Sequence, residues 1–134
     1  MKFILMMGMK ADAESASKGI MSWPKEDIQR HIAFMMDLNR QLKASGELVS
    51  AEGLAWPTEA KLIRAGKDGS PVTDGVFPES KEFLIGYWMV DVPTPERAYE
   101  IAARASAAPG QGGAPLNMPI EVRQVMSGPP EEFA

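Results

Sequence analysis

The sequence has no cysteine and a single histidine, His31. A disulfide scaffold, a thiolate nucleophile and a Cys-ligated zinc site are therefore excluded, and one subunit cannot assemble a multi-histidine metal centre. Basic residues are also short: 14 Lys and Arg against 18 Asp and Glu leave a formal charge of −4, a balance that argues against a nucleic-acid surface. No apolar run approaches the roughly 20 residues needed to cross a bilayer. The five apolar residues after Lys2 are too few for the hydrophobic region of a signal peptide. These absences predict a cytoplasmic protein with neither nucleic acid nor membrane as a partner.

What is present suits one globular domain. The 134 residues are 45% hydrophobic and 24% charged, enough to bury a core and too apolar for global disorder. Residues 1–126 are expected to form that domain, with 127–134 (Ser-Gly-Pro-Pro-Glu-Glu-Phe-Ala) a flexible tail. Residues 2–8 read as a short buried strand, and 9–22 as a surface loop without apolar periodicity. Between Pro24 and Ser45, the spacing of Ile28, Ile32, Met35, Leu38 and Leu42 predicts an amphipathic helix, with Glu26 and Asp27 in its first turn and Gly46 as its stop. Segments 47–56 and 59–65 are extended candidates separated by Pro57-Thr58, which suggests a hairpin. The second of them has few large apolar side chains and is placed outside the core.

Residues 83–92 form a strand that is apolar on both faces, Phe83, Ile85, Tyr87 and Met89 on one and Leu84, Trp88, Val90 and Val92 on the other. Thr94 and Pro95 signal the start of a second helix ending near Ala107, and residues 120–126 read as the last strand. Without the hairpin insertion the order is strand, helix, strand, strand, helix, strand. This is the split βαβ pattern of a ferredoxin-like α+β fold: a four-stranded antiparallel sheet with two helices on one face. A chain with two helices cannot cover both faces of its sheet, so the face carrying Tyr87 or Trp88 is expected to pack on a second copy in a homodimer.

The stretch Asp74-Gly75-Val76-Phe77-Pro78-Glu79-Ser80-Lys81-Glu82, followed by a Gly86-Tyr87 strand, resembles the DGPF signature of the YCII-related proteins, typically worded DGPFAETKE. Six of the nine positions agree, with Val76, Pro78 and Ser80 departing from the pattern. Met6-Met7, residues 42–48, Glu52-Gly53-Leu54, residues 98–104 and Ile120-Glu121-Val122-Arg123 extend the likeness along the chain. The resemblance implies a ferredoxin-like fold of the dimeric α/β barrel group. It also implies that some relatives use a His/Asp pair in a pocket, and that at least one branch removes chloride from a chlorinated hydroxylated aromatic.

The candidate site residues are few. His31 lies at the edge of the helical stripe beside Met35, Leu38 and Leu42, where it suits a general base oriented by Asp74; the plainer alternative is a half-buried histidine bonded to a carbonyl. Asp74 before Gly75 is equally a turn residue whose side chain bonds its own backbone. Glu79 shares parity with Phe83, which points it inward, whereas a solvated charge is the ordinary outcome. Trp56, Tyr87 and Trp88, with ten methionines in the chain, suit either an adaptable apolar cavity or core filling. Arg123 is placed to hold an anionic ligand, with an ion pair to an Asp or Glu of a neighbouring strand as the favoured reading. The Gly110-Gln111-Gly112-Gly113 run lacks the context of a phosphate loop and reads as flexible.

Two functions follow. One is a cofactor-independent enzyme, of lyase or isomerase type, moving a proton on a small apolar or aromatic compound with His31 and Asp74. The other is a non-catalytic dimer that binds a small molecule or supports an assembly. No cofactor and no metal is expected for either, and a haem- or metal-dependent oxygenase fits worse because His31 has no companion ligands.

Overall fold

The computed structural model describes residues 1–10, 19–74 and 82–133, the side chain of Asp74 excepted. Strands β1 (Lys2–Lys10), β2 (Leu48–Gly53), β5 (Glu82–Asp91) and β6 (Glu121–Gln124) form one sheet in the order β2-β5-β1-β6. Every neighbouring pair in it is antiparallel. Strands β1 and β2 therefore run parallel with β5 between them, the split βαβ order of a ferredoxin-like domain. Strand β1 runs through Lys10, beyond the end expected from Gly8, because β5 continues to pair with it. The remainder of the expected 9–22 loop lies largely outside the described residues; a 3-10 turn at Ile20–Ser22 follows it.

Helices α1 (Lys25–Ala44) and α2 (Pro95–Ser106) lie on one face of this sheet. Leu38 and Leu42 from α1 and Ala98, Ile101, Ala102 and Ala105 from α2 share one core with Phe3, Leu5, Trp88 and Val90. The helix ends obey local chemistry. Thr94 accepts the backbone N–H of Arg97 at 3.2 Å, capping α2 ahead of Pro95. At the end of α1 the N–H groups of Gly46 and Glu47 donate to the carbonyls of Lys43 and Leu42, a Schellman closure that needs the left-handed φ of +80° at Gly46. None of the described helices is long and apolar enough to cross a membrane.

The hairpin departs from the expected pairing. Strand β3 (Leu62–Ala65) pairs with β4 (Pro71–Asp74) as a separate two-stranded ribbon, while 48–53 joins the main sheet beside β5. Pro57 is buried in a 3-10 turn, which carries the chain away instead of reversing it. The reversal comes at 66–70, where the Asp68 carboxylate accepts the N–H and hydroxyl of Ser70, each at 3.0 Å. As expected, β3 lies outside the core, exposed along its whole length.

Trp88 is buried under the helices, and Tyr87 falls on the other sheet face by alternation. A bulge interrupts that alternation: Met7 pairs with Gly86 but Gly8 pairs with Leu84, so Ile85 is an extra residue on β5. Leu84 is consequently 40% exposed and not part of the buried set assigned to it by strict parity.

A bidentate ion pair ties the start of α2 to the turn after α1. Arg97 Nε and Nη2 donate to the Glu47 carboxylate at 2.8 and 2.9 Å. The Arg97 hydrogen bond, helped by the Ser45 hydroxyl and opposed by burial, holds Glu47 down from 4.5 to about 2. A carboxyl depressed on folding stabilises the protein above its unfolded pKa, and that contribution disappears as pH falls through the folded value. Glu47→Gln is expected to cost about 1–2 kcal/mol in urea unfolding at pH 7. The gap to the unsubstituted protein should narrow as pH falls from 4.5 to about 2; a gap that is constant across this range would contradict the assignment.

Candidate functional site

Helix α1 turns a polar end inward. At about 100° per residue, Asp27 and His31 each fall within about 20° of Leu38, whereas Ile28 and Ile32 lie about 80° and 120° away. Burial follows this geometry: Asp27 is buried at 8% exposure and His31 is half-buried, while Ile32 is 48% exposed. The buried stripe thus continues from Leu42, Leu38 and Met35 through His31 to Asp27, with Ile28 half-buried at its edge and Ile32, which the hydrophobic spacing placed on the stripe, exposed.

His31 borders two cavities, and Met7 is a wall of both as well. The first, about 210 Å³, lies between α1 and the β2 side of the sheet, among Met35, Asn39, Glu52, Tyr87 and Trp88. Asn39 accepts the Trp88 indole N–H at 2.7 Å, which satisfies the polar end of a buried indole. The second, about 290 Å³, is walled by Met9, Trp23, Trp56, Ile85, Leu116 and Met118. Here the bulge matters, because it puts Ile85 on the same wall as Met7 and Met9. Among the described residues, His31 supplies the one titratable side chain of this second cavity.

The imidazole is fixed in two ways. Its Nδ1–H donates to the carbonyl of Pro109 at 3.0 Å. A carbonyl only accepts, so Nδ1 carries a proton, and whenever the ring is neutral its lone pair is on Nε2. Trp23 packs edge-on against the ring, 5.6 Å between centroids at 82°. This contact is the one foreseen in the plainer sequence reading, a half-buried histidine bonded to a carbonyl.

Asp74 ends β4 opposite Leu62, and its side chain lies outside the described residues. Glu79 lies outside them as well, with most of the DGPF-like segment. Trp88 comes together with His31 at the first cavity, which Tyr87 also borders although its side chain alternates to the other face of the sheet. Arg123 does not: it pairs with Ile4 on the sheet face away from the helices, exposed, with the Glu121 carboxylate 4.0 Å away. An ion pair that exposed contributes little to stability.

Trp56, grouped from the sequence with Tyr87 and Trp88 as part of an apolar cavity, lines the second cavity. Trp23, Asn39 and the Pro109 carbonyl also take part without having been singled out from the sequence, Glu52 borders the first cavity, and Asp27 holds the loop that carries Pro109. The loop expected to be flexible is closed on itself, through a bridge between Pro109 and Pro115 and an N–H donated by Gly110 to Ala114 at 2.7 Å. Continuing the Leu42-Leu38 face back by elevens would have found His31 and Asp27. Nothing in the local sequence points to Pro109, which meets His31 across 78 positions of chain.

Fold and site together define a ferredoxin-like α+β domain with a histidine set between two largely apolar cavities. The chain belongs to the family of the YCII-related domain, whose model matches residues 1–114. That span holds His31, Asp27 and the Pro109 turn, and stops before β6. Among curated proteins, one of Rhizobium meliloti (strain 1021), itself described as uncharacterised, is 29% identical over 87 residues, which is 65% of this chain and 70% of the relative.

Proposed function

We propose that this protein moves a proton on a small apolar or aromatic compound, without a cofactor, using Nε2 of His31. The observation that carries the proposal is an imidazole bonded through Nδ1 to a carbonyl and supplying the one titratable side chain among the described residues that line the second cavity. The pocket's size sets the substrate class. A dry cavity of roughly 150 Å³ holds benzene, so about 290 Å³ suits one substituted ring. Proton abstraction by a positioned side chain supports isomerisation, and it supports elimination when a leaving group such as chloride stands on the adjacent carbon. The 74–82 segment, which resembles the DGPF subgroup, enters β5 at the end where Ile85 borders the cavity. In this proposal Asp74 and Glu79 serve as second acid–base groups.

The test is solvent isotope uptake. A panel of single-ring phenols, chlorinated hydroxyaromatics and cyclic ketones is incubated with the protein in heavy water and followed by mass spectrometry. The proposal expects catalysed deuterium incorporation or chloride release for at least one chemical class. Saturable binding across the panel with neither would favour the non-catalytic ligand-binding function instead.

We propose further that the helix-free sheet face is covered by a second copy, closing a dimeric α/β barrel. Ile4 and Met6 alternate with the core residues of β1, and Ile4 pairs with Met89 on the same face. An apolar strand pair on a sheet face without helices is the surface a two-fold partner buries. Sedimentation equilibrium is expected to give a dimer for the unsubstituted protein and a monomer for Met89→Asp. A monomer in both cases would remove the barrel from the proposal.

A further inference from the structure

The buried carboxylate of Asp27 is an unusual group to find on the inward face of a helix, since burying a charge is unfavourable unless it is paired and hydrogen-bonded. Both conditions are met. Arg30 Nη1 donates to Oδ1 at 3.3 Å, and the backbone N–H of Gly112 donates to Oδ2 at 2.9 Å. Gly112 and Gly113 have φ of +74° and +83°, so two successive left-handed residues present that N–H to the helix. The turn fits closely under Arg30: a Cβ on Gly113 would sit 2.6 Å from its Nη1. The same turn holds Pro109, whose carbonyl takes the Nδ1–H of His31. Asp27 and His31 are four residues apart and so stack on one face of α1. One loop is therefore pinned twice to one helix face, by its N–H at Asp27 and by its carbonyl at His31. Between the two pins the loop is cross-braced by Gly113 N–H to Gly110, at 3.0 Å, and by Leu116 N–H to Ala108, at 2.9 Å.

We infer that Asp27 is the positioning residue of the site: by holding the Gly112 N–H it keeps the Pro109 carbonyl at Nδ1, and so keeps the lone pair of His31 on Nε2. Its use in catalysis rests on the function proposed above, but its effect on the imidazole does not.

The experiment reads the tautomer directly. His31 is the single histidine, so long-range proton–nitrogen spectra of the ligand-free protein, taken where the imidazole is neutral, need no assignment. The unsubstituted protein is expected to be predominantly Nδ1–H. In Asp27→Ala the population should shift to predominantly Nε2–H, the form an unrestrained histidine side chain prefers. Asp27→Asn, whose amide oxygen still accepts from Gly112, should restore Nδ1–H, and Arg30→Ala should retain it. If Asp27→Ala does not fold, Asp27→Ser, too short to reach Gly112, replaces it. A folded Ala or Ser variant with the original tautomer overturns the inference, as does an Asn variant that fails to restore it.

With an isotope-exchange substrate in hand, Asp27→Ala should lower kcat about 10–100-fold at little-changed KM. A fall confined to KM would overturn the positioning role. Absence of any exchange substrate would count against the proposed function and leave the tautomer result standing.

Discussion

His31→Ala is expected to lower the rate of isotope exchange or elimination by about 10²–10⁴-fold, the range contributed by a positioned general base. The fold should survive the change. His31 is half-buried and outside the main hydrophobic core. Removing it frees the Pro109 carbonyl at the margin of a cavity that water can enter, so the stability loss should stay near 1 kcal/mol. His31→Gln is the sharper variant. Its amide can donate to Pro109 as the imidazole does, and so keep the loop in place, yet it cannot accept a proton at neutral pH. The expected pattern is restored stability with activity still lost, measured by urea unfolding and exchange rate on the same samples. Exchange persisting at the unsubstituted rate in both variants would remove His31 from the chemistry.

Leu38→Ala carries the largest expected effect on stability. The side chain is 2% exposed and packs α1 onto the sheet, seven residues beyond His31 on the same face. Truncating a buried leucine removes its transfer free energy and leaves a cavity, together about 3–4 kcal/mol. For a domain of this length that lowers the thermal midpoint by about 10 °C. The variant should also impair the site, because α1 carries His31, Met35 and Asn39 into the cavities. Met36→Ala, at 59% exposure on the same helix, serves as the comparison and should change stability by less than about 1 kcal/mol. Equal losses from the two substitutions would contradict the assigned helix orientation.

The parts of this fold that were legible in the sequence are those governed by neighbours along the chain. Thr94-Pro95 announces α2, Gly46 closes α1, and the apolar run at 83–92 is a strand of the central sheet. The partner of residues 48–53 was not legible. Pro57-Thr58 and Asp68-Gly69 are both turn sequences, but only backbone geometry over 57–70 decides which of them reverses the chain. Helix rotation was legible only in part. Ile28 and Ile32 extend the apolar pattern plausibly, and the deciding fact is that Asp27 and His31 find partners in a loop some 80 residues away, which makes their burial affordable. The Ile85 bulge likewise depends on a register shift against β1, which strict alternation cannot express.

The site repeats that lesson. His31 stood out because the chain has one histidine, and Tyr87 and Trp88 because they are aromatic in a central strand. Asp27 stood only as a helix-dipole complement in the first turn, a role that any exposed carboxylate fills. Arg123 attracted notice by lying in a core strand, but alternation puts it on the face opposite His31. A residue's type suggests its chemistry, while its face and its distant partners decide whether it reaches the site.

The most direct test is a crystal structure with the best compound from the isotope panel. The ring is expected in the cavity between Trp23, Trp56 and Ile85, with the atom that loses or gains the proton within about 2.6–3.2 Å of His31 Nε2 and Nδ1 still bonded to Pro109. A compound seated elsewhere, or an imidazole whose Nε2 is taken up by a protein group when the cavity is filled, would contradict the proposed function.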